Sequence, residues 1–207
     1  SVAVLNKSEQ PGSLSIMGWV ENKVSIRSAG VNEIRRNEVL TSGKFKGVQC
    51  SVKLNGTLLQ LQEPDFGTLG IAALNGSARL NTDLQFPLSL SSFANQNEAI
   101  IEKSKDQQLL ASVNSMFQIK PKGTAEAHFS IAWYFPNLKL DQAIQERGRY
   151  YANWFGSSFE VLDYVNRNFS SLSTESKLWK DTWFDSSLPW WFLERTFLKF
   201  QYRLSYI

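Results

Sequence analysis

The run Ala125-Glu126-Ala127-His128-Phe129-Ser130-Ile131-Ala132-Trp133-Tyr134-Phe135-Pro136 decides the fold class. Ala125, Ala127, Phe129, Ile131, Trp133 and Phe135 alternate with Glu126, His128, Ser130, Ala132 and Tyr134. That is the period-two pattern of a strand with one face in a core. The first set is expected to be buried and the second solvated. Upstream, Ala111, Val113, Phe117 and Ile119 point one way, and Ser112, Asn114 and Gln118 the other. Pro121-Lys122-Gly123 joins the two runs, so 109–119 and 124–135 read as an antiparallel hairpin.

Two Asn-Gly dipeptides predict further hairpins, because these residues accept the positive φ of a type I′ turn. Asn55-Gly56 would join 51–54 to 57–61, and Asn75-Gly76 would join 71–74 to 77–80. Earlier strands are expected at 2–5, 14–20 and 23–27. Many short strands with frequent turns predict an antiparallel β-sandwich over residues 1–135.

Pro136 changes the regime, and 136–156 reads as a linker into a helical segment, 157–207. Ser157 or Ser158 can cap a helix, with Glu160 suited to the positive end of the dipole. Val161, Leu162, Val165 and Phe169 follow as an apolar stripe. A second helix is expected over 173–182, with Leu178 and Trp179 inward. Ser186-Ser187-Leu188-Pro189 reads as a helix start, since the missing proline N–H would be unpaired there anyway. The chain opens on an apolar strand-like run and closes in a helix bearing Phe197, Leu198 and Phe200. Both ends therefore read as cut, and the sequence is expected to be an internal stretch of a larger protein.

Composition narrows the function classes. Among 207 residues, 43% are hydrophobic and 20% charged, enough apolar side chain for a core. No stretch approaches the roughly 18–20 apolar residues of a membrane-spanning helix. No charged segment followed by an apolar one opens the chain as a signal peptide would. A net charge of +3 without basic runs gives no footprint for nucleic acid. One cysteine, Cys50, and one histidine, His128, leave no disulfide and no multi-histidine metal site. No cofactor is expected.

The remaining reactive residues each have an ordinary reading. Cys50 and His128 could form a nucleophile–base pair, but a lone cysteine is usually a small buried hydrophobe. Glu126, His128 and Ser130 share a strand face, as any solvated face would. Glycoside hydrolysis needs two carboxylates flanking the scissile bond, and Asp181, Asp185 and Glu194 lie in the aromatic-rich helical part. Their plain reading is helix-surface charge. Trp179, Trp183, Trp190 and Trp191 could stack sugars, but large rings more often anchor an interface. Arg147-Gly148-Arg149 is a small basic turn without the repeated glycines of a phosphate cradle. Glycosylation sequons at Asn6, Asn55, Asn75 and Asn168 do not establish secretion, and the localisation stays open.

An ordered motif series then stands out. It runs Gly18-Trp19-Val20-Glu21-Asn22, Ala132-Trp133-Tyr134-Phe135-Pro136-Asn137, Gly148-Arg149-Tyr150-Tyr151-Ala152-Asn153-Trp154-Phe155 and Asp185-Ser186-Ser187-Leu188-Pro189-Trp190-Trp191. This series resembles glycoside hydrolase family 116, the family of non-lysosomal glucosylceramidases (bile-acid β-glucosidases) and bacterial β-glucosidases. The resemblance spans residues 14–195; 199–207 departs from the pattern. It implies an N-terminal β-sandwich followed by an (α/α)6 barrel and a retaining mechanism on β-glucosides. The family's Glu nucleophile and Asp acid/base would lie downstream in that barrel, so the resemblance gives no residue here a catalytic role. The chain is then expected to be a non-catalytic portion of a β-glucosidase, packed on the barrel, with the glucoside bound by the parent's catalytic domain. The alternative is a free-standing carbohydrate- or protein-binding β-sandwich.

Overall fold

The computed structural model describes residues 1–24, 33–54, 57–58, 65–137, 148–193 and 195–196. The architecture is mainly antiparallel β-sheet followed by one long helix. The strands are β1 (Val2–Leu5), β2 (Gly12–Glu21), β3 (Glu33–Ser42), β4 (Phe45–Leu54), β5 (Thr57–Leu58) and β6 (Thr68–Ala73). They continue as β7 (Ser77–Asn81), β8 (Ile101–Ser104), β9 (Leu110–Ile119), β10 (Thr124–Ala127) and β11 (Phe129–Tyr134). A six-stranded sheet has the order β11-β6-β4-β3-β8, with β5 pairing the far end of β4. A three-stranded sheet has the order β2-β9-β7, and β1 pairs β10 separately. Two compact units are distinct, Ser1–Asn166 and a second beginning at Arg167.

One apolar cluster draws on both larger sheets. Val48, Cys50, Val52 and Ile71 come from the six-stranded sheet, Leu80, Ala111 and Val113 from the three-stranded one. A polar network runs beside it. Asn22, fully buried just after β2, donates from Nδ2 to Arg36 O at 3.0 Å, Asn37 Oδ1 at 3.0 Å and Ser51 O at 3.1 Å. Its Oδ1 accepts from Val24 N at 3.3 Å. Asn37 in turn donates to Thr82 O at 2.9 Å. Both amides are satisfied, the condition under which a buried polar group strengthens a fold.

Several expected pairings differ. The runs 109–119 and 124–135 do not form a hairpin. β9 pairs along its whole length with β2, from Gly12 opposite Ile119 to Glu21 opposite Leu110, and its other edge takes β7. The turn after β9 is tight, Gly123 N bonding Lys120 O at 2.9 Å with Lys122 at φ 55. It delivers β10 to β1, and β11 to β6. The strict alternation also breaks at its end: Ala132 and Tyr134 are buried while Ile131 is 53% exposed. The six-stranded sheet is covered on two faces, and Ala132 packs with Ala72 and Leu162 of the helix on the second one. His128, read as solvated, is half-buried.

Asn75-Gly76 makes a turn but no hairpin, because β6 and β7 belong to different sheets. Asn75 Nδ2 donates to Glu126 O at 2.7 Å and its Oδ1 accepts from His128 N at 2.8 Å. The amide thus grips the β10–β11 junction and turns the chain into an arch. Gly76 sits at φ +80, and a Cβ there would lie 2.7 Å from Phe117 Cζ and closer still to Ser115 Oγ. At the other dipeptide, Leu54 pairs with Thr57 as expected, and Asn55 and Gly56 lie outside the described residues. The expected strand 23–27 is not extended at Val24, which sits in a turn, and its remainder lies outside the described residues.

Helix α1 spans Ser158–Phe184 without the break expected near residue 170. The Ser-rich stretch holds no Gly or Pro, and its hydroxyls bond within the helix. Ser173 donates to Ser170 O at 3.0 Å and Ser171 to Glu175 Oε1 at 2.7 Å. Ser157 provides the cap, accepting from Glu160 N at 3.2 Å, and Ser158 is the first helical residue. Leu162 is fully buried against the sheet, where Gly70 leaves the room: a Cβ there would stand 2.7 Å from Leu162 Cδ1. Helix α2 is a single turn, Trp190–Leu193, begun at Pro189 as expected, with Phe192 N bonded to Pro189 O at 2.9 Å.

Gly76→Ala adds a methyl where both φ and space forbid it. The expected loss is about 2 kcal/mol, a fall in melting temperature of roughly 4–8 °C. Thermal denaturation by circular dichroism checks this; an unchanged melting temperature would show that the arch tolerates a side chain.

Candidate functional site

Two motif segments separated in sequence meet in space. Pro136 O accepts from Arg149 N at 2.7 Å, and Tyr151 Oη donates to Phe135 O at 2.7 Å while accepting from Phe135 N at 3.0 Å. The Tyr151 ring meets Tyr134 edge-on at 5.8 Å. Burial, then the neighbouring Tyr151, pushes the Tyr134 hydroxyl above its usual range. Gly148 makes this approach possible: its φ is +71, and a Cβ would stand 3.0 Å from Pro136 O. A 3₁₀ turn, Tyr150–Asn153, follows and leads to α1. The first N–H groups of α1 are taken by the sheet, Ser158 N by Thr68 Oγ1 at 2.8 Å and Phe159 N by Gln49 Oε1 at 3.3 Å. That helix start is therefore anchored and not open to an anion.

The candidate catalytic residues are not brought together. Cys50 lies in the apolar core, where burial pushes its thiol up to about 12. His128 contacts Ser1 Oγ at 2.7 Å and Glu126 Oε1 at 3.8 Å, both through Nδ1. A relay needs the nucleophile and the orienting carboxylate on opposite ring nitrogens, so Ser1, His128 and Glu126 are not arranged as a triad, and Ser130, the serine of the sequence reading, lies in β11 opposite Ala72. Asp181 and Asp185 are exposed on the second unit, their backbones joined by a 2.9 Å bond, and Glu194 lies outside the described residues. Among the described residues no group of three or more His, Cys, Asp or Glu side chains is placed to hold a metal ion. No described helix is long and apolar enough to cross a membrane.

The tryptophans pack on one another. Trp179 meets Trp183 at 6.0 Å and Phe184 meets Trp190 at 5.2 Å. Trp190 and Trp191 nonetheless remain 66% and 63% exposed. Phe197, Leu198 and Phe200 lie outside the described residues, as do Arg147 of the basic turn and 199–207. In the first unit Tyr150 and Trp154 form a second exposed pair at 5.4 Å. Two sequon asparagines are consumed structurally. Asn75 holds the arch, and Asn6 Nδ2 donates to Gln10 O at 2.8 Å and Lys120 O at 3.2 Å.

A cleft of about 470 Å³ opens at the arch. Phe45, Ala73, Leu74, Ala78 and Leu80 supply its apolar lining, and Lys46, Gln96, Glu98 and Asn166 much of its polar lining. Lys46 Nζ bonds Glu98 Oε2 at 2.7 Å, and Gln96 Nε2 bonds Glu98 Oε1 at 2.8 Å. The Lys46 bond first, and Gln96 after it, hold the Glu98 carboxyl below its ordinary value against the opposing effect of burial. No local pattern in the sequence marks these residues, which come from separate segments. The nearest signal is Asn75-Gly76, whose partner sheets the dipeptide does not specify.

The family described as beta-glucosidase 2, glycosyl-hydrolase family 116 N-term, matches residues 1–172. The chain therefore belongs to the family 116 N-terminal domains. In the comparison with curated proteins, none matches the chain.

Tyr151→Phe removes one hydroxyl and leaves both the N–H and C=O of Phe135 without that partner. The expected loss is about 1–3 kcal/mol, read by urea denaturation; a loss near zero would mean water replaces the hydroxyl. For Cys50, a thiol reagent at pH 8 should label the native chain very slowly and the denatured chain fully. Rapid native labelling would contradict the buried, protonated thiol.

Proposed function

We propose that the chain is the non-catalytic N-terminal part of a retaining β-glucosidase or glucosylceramidase-like enzyme. In this reading 1–135 is its β-sandwich, 136–156 a linker, and 157–207 the lead into an (α/α)6 catalytic barrel. The observation that carries it is the family match over residues 1–172. Among the described residues, the carboxylates Glu98, Glu102 and Asp163 have partners within the fold. The cleft at the arch is lined by one carboxylate, Glu98, and Lys46 holds it ionised. Glu102 is likewise held below the ordinary carboxyl value, first by its hydrogen bond to Lys53 and then by Arg36. Asp163 is buried and accepts from Ser42 Oγ at 3.0 Å. In this reading the exposed pair Tyr150 and Trp154, with Trp190 and Trp191, packs on the helical domain and does not hold substrate.

Purified chain incubated with an aryl β-glucoside should release no aglycone above background. In this reading the intact parent enzyme, assayed in parallel, turns the same glucoside over. Turnover by the chain alone, lost in Asp185→Asn, would overturn the proposal and place a catalytic site in the helical segment.

A further inference from the structure

We propose that the cleft at the Asn75-Gly76 arch is a non-catalytic binding site for one neutral hexose unit. Its volume, about 470 Å³, falls inside the roughly 300–1,000 Å³ of small-molecule sites. Its lining joins an apolar side with hydrogen-bonding groups of both senses. Lys46 and Gln96 donate, Glu98 accepts on two oxygens, and the Asn166 amide can do either. A pyranose matches that combination, with C–H faces for the apolar side and hydroxyls that both donate and accept.

Other ligand classes fit less well. Lys46 is already matched by Glu98 at 2.7 Å, and the second cation of the lining, Lys44, is exposed to water, so the attraction left for an anion is weak. An apolar ligand would strip water from this ion pair and the amides without returning hydrogen bonds. The polar groups are also held in place before any ligand arrives. Glu98 is fixed from two sides, and the arch itself is clamped through Asn75 to the β10–β11 junction. Little ordering therefore opposes binding. The site lies wholly within the first unit and needs no catalytic domain.

The test is a nitrogen–proton NMR titration of the whole chain with methyl β-glucoside, methyl β-galactoside and methyl α-mannoside, and separately with inorganic phosphate. At least one glycoside should shift the amides of Gly76, Ala78 and Gln96 with a millimolar Kd that changes little between low and high salt. Glu98→Gln should raise that Kd about tenfold by removing a charge-assisted acceptor, and Asn166→Ala about threefold. Asn166→Ala keeps the ion pair and so reads the site even where Glu98→Gln unfolds the chain. Three results would overturn the proposal. They are no shift at the cleft with any glycoside, shifts that survive Asn166→Ala with an unchanged Kd, and binding of phosphate in preference to sugar. None depends on turnover, so this outcome and that of the activity assay are read separately.

Discussion

The side-chain amide of Asn22 is the constraint on which the rest of the first unit rests. It emerges from the end of β2, in the three-stranded sheet, and its Nδ2 reaches the backbones of β3 and β4 in the six-stranded sheet. Asn37 extends the contact to Thr82, just past β7. An amide buried this deeply is costly unless its donors and acceptor are met, so the strand ends are held in one relative position. The apolar cluster of Val48, Ile71, Leu80 and Val113 supplies the burial energy but is tolerant of sliding. The amides are not, because a hydrogen bond fails within about an ångström of displacement.

Family membership gives these local devices a common meaning. Asn22 closes the first motif, Tyr134 and Phe135 lie in the second, and Gly148 and Tyr151 in the third. Each does structural work: a buried amide hub, a strand end, a turn that only glycine fits comfortably, and a hydroxyl clasped to a peptide group. Residues that carry a family resemblance can owe their place to the fold. Here they fix how the sheet hands the chain to its helix.

Much of the fold was legible in the sequence. The β-then-helix order follows from period-two alternation giving way after Pro136, and β1, β2 and the start of α1 fall where the pattern puts them, while the expected strand 124–135 is divided into β10 and β11 in different sheets. The illegible parts have physical causes. β3 hides because its inward side chains include Glu33, Arg35 and Asn37, which read as surface residues. Asn75-Gly76 specifies a local turn, but the choice of partner strand depends on residues far away, so an arch looks like a hairpin. The alternation of 125–135 assumes one wet face, and α1 covers part of the other. The continuity of α1 is hidden because serines disfavour helix interiors on average, while these bond back into the helix. The cleft was invisible because Lys46, Glu98 and Asn166 converge only after both sheets and α1 are in place.

The pairing of β2 with β9 and of β1 with β10 has a consequence for how the chain is made. Each early strand must wait for a partner on the order of 100 residues later, or roughly 5–20 s at ordinary rates of synthesis. During that interval β2 holds Leu14, Ile16, Met17 and Val20 with no edge to pair and no core to enter. Local pairings can close early: β3 meets β4 across a short turn at Gly43, and Leu54 of β4 meets Thr57 of β5. A topology built on such distant contacts collects its loop-closure entropy late and folds slowly. On a ribosome β1 and β2 would be the segments most exposed to holding chaperones, and the emergence of β9 would release β2 and that of β10 would release β1.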